Sequence, residues 1–191
     1  MKIWIDILTP KQLLFAEPMI RKLRKKHVVL CTSRTYDEVS KLAKIRNFDL
    51  VLVGKHGGSE KYDKLEASVN RIKELSLLIN KFSPELTISF CSPEAARISF
   101  GMGVKHIAFC DSPHASAVMK LTLPLIQKLL IPWIIPKKEF SKYGINVKDI
   151  ISYRAIDASV TIKRIVNQNN PLPFKNNHKK NILIRLEAEQ A

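Results

Sequence analysis

The segment Cys110-Asp111-Ser112-Pro113-His114 puts an acid, a hydroxyl and an imidazole within four residues at the end of an apolar run, Val104–Cys110. An Asp with a His three residues on suits general acid/base work or recognition of sugar hydroxyls. The alternative is that Asp111 caps the next helix and His114 faces water. A second segment, Gly54-Lys55-His56-Gly57-Gly58-Ser59, is glycine-rich and basic. Glycines before a helix expose backbone N–H groups, and Lys55 and His56 add charge or hydrogen bonds, a pattern suited to a phosphate or carboxylate. Its other reading is a flexible connection. The third segment is Ser92-Pro93-Glu94. Ser92 reads as a helix N-cap, and Glu94 falls in the first helical turn, where a carboxylate complements the helix dipole.

Other chemistries lack their signatures. No G-x-G-x-x-G follows the first strand and no acidic residue ends the second, Cys31-Thr32-Ser33-Arg34, which counts against a dinucleotide-binding domain. There is no G-x-x-x-x-G-K-[ST] loop, G-x-S-x-G elbow or H-E-x-x-H. Cys31, Cys91 and Cys110 form no C-x-x-C pair, so no metal site is signalled, and each reads as a small core residue in a reducing cytosol.

These segments need a scaffold that brings them together. Apolar runs at Ile3–Ile7, His27–Thr32, Phe48–Val53, Leu86–Cys91, Val104–Cys110 and Leu129–Ile135 alternate with helical patterns. Near-continuous apolar strands are what a parallel sheet covered on both faces requires. Thr9-Pro10-Lys11-Gln12 reads as a capping box, Thr35-Tyr36-Asp37-Glu38 repeats its logic, and Pro18 predicts a kink after Leu14. Leu65, Val69, Ile72, Leu75, Ile79 and Phe82 form the apolar stripe of a long helix over 59–82. The expected fold is α/β: a Rossmann-like, doubly wound parallel sheet with helices on both faces. In such sheets ligands sit beyond the carboxyl ends of the strands, where all three segments fall.

The 191 residues carry 46% hydrophobic and 26% charged residues, which excludes a disordered chain or a disulfide miniprotein. A net charge of +15 points to an anionic partner such as a nucleotide, a phospholipid surface or RNA, or to a generally basic protein. Aromatic residues at 7% and no RNP-like motif make nucleic acid the weaker choice. The opening Met1–Asp6 reads as a strand pattern rather than a signal peptide, and the most apolar stretch, 117–136, is broken by charges and prolines, so a cytoplasmic protein is expected. Within that stretch Val118, Leu121, Leu125, Leu129 and Trp133 read as core. Alternatively they form an apolar patch flanked by Lys120, Lys128, Lys137 and Lys138 that would dock peripherally on an anionic membrane. Residues 1–152 read as one domain and 153–180 as a crossover and linker. Residues 181–191 read as the first strand of a second, truncated domain.

The runs Ser92–Ala115 (SPEAARISFGMGVKHIAFCDSPHA), Trp4–Ile20 and Gly54–Gly58 resemble an archaeal family of unknown function. That family is similar to GT-B glycosyltransferases and to non-hydrolysing UDP-GlcNAc 2-epimerases. The resemblance implies two Rossmann-like domains facing a cleft, with this chain supplying the N-terminal, acceptor-side half and being inactive alone. It implies a UDP-sugar donor held mostly by the other half, and no cofactor or metal in this chain. Asp111 or Glu94 would deprotonate an acceptor hydroxyl. His114, His56, Lys55, Gly57, Gly58, Ser92 and Ser112 would orient sugar or phosphate. The epimerases carry an acid after the fourth strand where this chain has Ser92, with Glu94 two residues on; Asp111 matches their acid after the fifth. Tyr153–Asp157 resembles the interdomain crossover, with Ala155 where the family pattern has glycine.

Overall fold

The computed structural model describes residues 1–160 and 162. The linker beyond that point and the strand expected over 181–191 lie outside the described residues.

One seven-stranded parallel sheet organises the chain, in the order β3-β2-β1-β4-β5-β6-β7. The strands are β1 (Lys2–Asp6), β2 (Val28–Thr35), β3 (Val51–Lys55), β4 (Leu86–Ser89), β5 (Lys105–Phe109), β6 (Lys128–Pro132) and β7 (Ile150–Tyr153). Between them run α1 (Pro10–Leu23), α2 (Asp37–Ile45), α3 (Lys61–Phe82), α4 (Pro93–Gly101), α5 (Ser116–Thr122) and the short α6 (Lys138–Ser141). The chain winds outward from β1 to β3, returns through α3 to β4 on the other side of β1, and winds outward again. The strand order therefore reverses between β1 and β4, the point at which open α/β sheets leave a crevice.

Both faces are covered. Ile3, Ile5 and Ile7 pack with Leu13, Ala16 and Ile20 of α1 and Ala43 of α2. On the opposite face Trp4 and Val53 pack with Leu75 and Ile79 of α3 and Ala95 and Ile98 of α4. A third cluster, around Leu129, Ile131, Phe140 and Ile150, closes the β5–β7 end. Alternate residues of β1 thus enter opposite cores, so both of its faces are apolar.

Several details depart from the sequence reading. β6 stops at Pro132 and leaves Trp133 and Ile134 exposed. Of the residues assigned to core between 117 and 136, Leu129 is fully buried, Val118 and Leu125 partly so, and Leu121 and Trp133 are exposed. β7 had no sequence signal because it is four residues long and buries only Ile150 fully. α1 runs through Pro18 as one helix. Its cap holds as expected, with the Gln12 amide donating to Thr9 Oγ1, while Gln12 Oε1 accepts from Leu8 N rather than from the cap itself. Thr35 does not cap α2. It ends β2, and Tyr36 stands at the cap without a side-chain bond, leaving Asp37 and Glu38 to complement the dipole.

α3 matters most for the site. Its 22 residues span ~33 Å, about twice the length of the five-residue strand before it. Arg71, Leu75 and Ile79, from the middle of the helix onward, are its buried residues. The first half overhangs the carboxyl edge of the sheet, so Leu65 and Val69, expected in the core, are exposed.

Candidate functional site

Two adjoining clefts open at the carboxyl edge, sharing Thr9, Gln12, Phe90, Cys91 and Val118. Both lie at the β1/β4 reversal. They are built on a buried ionic support. Asp6, the last residue of β1, is completely buried and accepts from Arg71 Nη2 at 2.6 Å, Arg71 Nη1 at 3.1 Å and Thr32 Oγ1 at 2.7 Å. Burial opposes ionisation of Asp6, but the Arg71 guanidinium outweighs it and holds the carboxyl below its ordinary range. Arg71 Nε also donates to the Val53 carbonyl at 3.0 Å, tying α3 to β3. Glu94 lies 3.6 Å from Arg71 and accepts from Ser68 Oγ at 2.8 Å and Ser92 Oγ at 3.2 Å.

The larger cleft, about 600 Å³, lies over this support. Its walls are the overhanging turns of α3 and the start of α5. Arg34, Lys55, His56, Lys61 and Lys64 line it, with Glu94 among them. Arg34, Lys55, Lys61 and Lys64 make no ion pair among the described residues, and Arg34 Nε is buried without a hydrogen-bond partner. The His56 ring stacks on Tyr36 with centroids 5.7 Å apart, and its Nδ1 accepts from Gly58 N at 3.0 Å. Partial burial, with the charges of Arg34 and Lys64, pushes its pKa below the usual imidazole value. At neutral pH His56 is a hydrogen-bonding group rather than a cation.

The smaller cleft, about 290 Å³, is lined by Lys11, Asp111, Ser112 and Asp157, with Phe15, Phe90 and Phe109 as its apolar wall. Those three rings pack together with centroids 5.3–5.5 Å apart. Lys11 donates to Asp111 and lies 3.8 Å from Asp157, while the Tyr153 hydroxyl donates to Asp157. Ser112 Oγ donates to Asp111 at 2.9 Å. Burial raises the Asp111 pKa, but the Lys11 and Ser112 hydrogen bonds win and hold it low. Asp157 moves the other way. Burial and the neighbouring Asp111 raise it more than Tyr153 and Lys11 lower it. Two adjacent carboxyls with opposed shifts can hold and exchange a proton.

The sequence-derived residues divide between these places. Lys55, His56, Gly57 and Glu94 line the larger cleft, and Asp111 and Ser112 the smaller. Ser92 is buried beneath as the N-cap of α4, accepting from Ala95 N at 3.2 Å. Gly58 lines neither cleft; its φ of +69° and its bond to His56 shape the loop. His114 is exposed, lines neither cleft and makes no side-chain hydrogen bond among the described residues, so Asp111 and His114 are not brought together. Lys11, Arg34, Lys61, Lys64, Arg71 and Asp157 went unseen. Arg34 did stand at the end of the second strand, and Asp157 closed the Tyr153–Asp157 run, which were the available signals. Cys31 is held protonated, burial pushing its pKa up to about 11. Cys91 adopts φ +55°, a strained backbone at the seam between the clefts. Among the described residues, no group of three or more His, Cys, Asp or Glu is placed to hold a metal ion, and no helix is long and apolar enough to cross a membrane.

The family profile described as protein of unknown function (DUF354) matches residues 1–191. The chain belongs to the DUF354 family. An uncharacterized protein of Methanocaldococcus jannaschii, MJ0665, is 32% identical over 143 residues, covering 74% of this chain and 42% of that protein. The UDP-GlcNAc 2-epimerase of Neisseria meningitidis, solved bound to UDP-GlcNAc, superimposes with a TM-score of 0.67 at 16% identity, over 87% of this chain and 50% of that one. The spinosyn forosaminyltransferase SpnP superimposes at 0.56 and 14% identity, over 82% and 51%. At these identities the solved structures establish a shared Rossmann-like fold. This DUF354 chain spans about half the length of the relatives it matches.

Proposed function

We propose that this chain is the acceptor-side half of a site that transfers a glycosyl group from a nucleotide sugar. The observation that carries the reading is the pair of joined clefts at the β1/β4 reversal. One is acidic and aromatic, the other basic. The three phenylalanine rings beside Lys11, Asp111 and Asp157 suit a sugar, which offers an apolar face and a rim of hydroxyls. Asp111 takes the acceptor hydroxyl in this reading, with Lys11 offsetting the charge that develops. The cations of the larger cleft hold a phosphate, and a UDP-sugar donor bound mainly outside this chain completes the site. The likeness to a UDP-GlcNAc 2-epimerase and to a glycosyltransferase supports it by fold.

A second reading, a UDP-sugar 2-epimerase, is favoured by the opposed Asp111 and Asp157, which resemble the acid and base such a reaction needs. Both are tested on the longer protein that contains this chain, supplied with UDP-sugars and glycosyl acceptors in deuterated water. Transfer gives UDP and a glycosylated acceptor, with no deuterium at the sugar's second carbon. Epimerisation gives deuterium there. Asp111→Asn should lower turnover 100- to 10,000-fold with the melting temperature retained. Unchanged turnover in that variant removes Asp111 from the reaction.

A further inference from the structure

The larger cleft has an unusual polarity gradient. Ligand pockets commonly bury the apolar part of a ligand and leave its charged end near water. Here the order is reversed. The floor holds Arg34, with its buried unpartnered Nε, and the Asp6–Arg71 pair. The mouth is aliphatic. Leu65 on the overhang of α3 is 62% exposed and Leu121 on α5 is 60% exposed, and both line the cleft. Tyr62 and Val69, at 71% and 55% exposed, extend the apolar strip along α3 on either side of Leu65. Lys61, Lys64 and Lys120 stand beside it. Exposed apolar residues framed by lysines at the rim of a basic cavity meet an anionic amphiphile in both its parts.

From this gradient we propose that the larger cleft binds an aliphatic phosphate, with the phosphate entering first towards Arg34 and Lys55 and the hydrocarbon chain leaving between Leu65 and Leu121. The inference rests on the transfer reading for its role, and it names the acceptor class: a phosphate-bearing lipid whose chain remains in a membrane while its head reaches the chemistry. The wall residues that a chain would follow are aliphatic and on facing helices. Charge complementarity favours this occupant over a protein segment, because Arg34, whose Nε is buried and unpartnered, lies below the exposed lysines of the rim, where a flat partner would not reach.

The test uses the 191-residue chain and three probes below their micellar concentrations: decyl phosphate, inorganic phosphate and decyl maltoside. Each methylene that leaves water multiplies affinity about fourfold. Decyl phosphate should therefore bind at least tenfold more tightly than inorganic phosphate, and decyl maltoside at least tenfold more weakly than decyl phosphate. Leu65→Ser with Leu121→Ser should cost tenfold or more for decyl phosphate and nothing for inorganic phosphate. Arg34→Gln should weaken both phosphates. Equal affinity for the two phosphates overturns the proposal, as does equal affinity for the two decyl compounds or an unaffected double serine variant. The outcome is separable from the transfer reading. Soluble acceptors glycosylated without any dependence on an alkyl chain would leave transfer standing and sink the lipid. Tail-dependent binding in a protein that releases no UDP would do the reverse.

Discussion

Removing the Arg71 guanidinium would leave the Asp6 carboxylate in a fully buried position with only the neutral hydroxyls of Thr32 and Ser92 beside it. Stripping one partner from a buried pair costs about 3–5 kcal/mol, because the remaining charge has no water to return to. Arg71→Ala should lose that much in urea unfolding. Asp6→Asn combined with Arg71→Met should lose less than the single change, since no unpaired charge remains. Neither residue was legible as part of the site. Asp6 reads as the polar end of a strand, and a lone arginine in an amphipathic helix reads as solvent-facing. Sixty-five residues separate them, and only the crossover through α3 brings them within 2.6 Å. Asp111 and Glu94 were legible for a different reason. They follow strands directly, so the rule that α/β sheets work at their carboxyl ends reached them without any knowledge of packing.

Among the elements, α3 and the loop before it decide the geometry of the larger cleft. A Cβ on Gly57 would lie 2.6 Å from the Asp63 carbonyl oxygen and the Lys64 Cα, both helix backbone. Gly57 is thus required for the close approach of loop and helix. Gly58→Ala meets no atom within 4 Å and bears only the cost of φ +69°, roughly 1–2 kcal/mol. Gly57→Ala forces the first turn of α3 to move, at about 1–3 kcal/mol, and should also weaken decyl phosphate binding by displacing Lys61 and Lys64. Thermal melts and binding of the two variants, side by side, check this. The glycine-rich loop was visible in the sequence as a place of close approach, but the approaching group proves to be the chain's own helix. The length of α3 was visible too. Its overhang was not, because the apolar spacing continues through Leu65 and Val69 as though the sheet extended beneath them.

For the whole molecule, acid stability should fall in two stages. His106 is buried on β5, hydrogen-bonded through Nε2 to Ser89 Oγ at 2.8 Å, and burial lowers its pKa to about 4. A depressed folded value means that its contribution is complete above the unfolded pKa near 6.5. It is lost as pH falls towards 4, an effect of roughly 3 kcal/mol. His56 adds a change of the same sign. Asp6 and Asp111, held low, withdraw their stabilisation only at more acid pH still, as the solution passes through their folded values. Asp157, held high, works with the opposite sign. Urea unfolding measured from pH 7 to pH 3 should show the first decline in the native chain and a shallower one in His106→Gln, with the second stage unchanged. An equally steep first stage in the variant would assign it elsewhere.

The position of β1 also constrains the order in which the chain can become native. β1 precedes the other strands of the sheet in the chain, yet it ends in the sheet's interior, hydrogen-bonded to β2 on one side and β4 on the other. Ile3 meets Val29 early but must wait for Leu86. At ~5–20 residues per second, the gap between β1 and β4 leaving the ribosome is roughly 4–17 s. During that interval a strand destined for the sheet's interior presents an open edge, and Asp6 stays hydrated until α3 delivers Arg71. Non-local pairing of this kind slows folding. It also makes the nascent segment from β1 to β4 a stretch with much to gain from a holding chaperone.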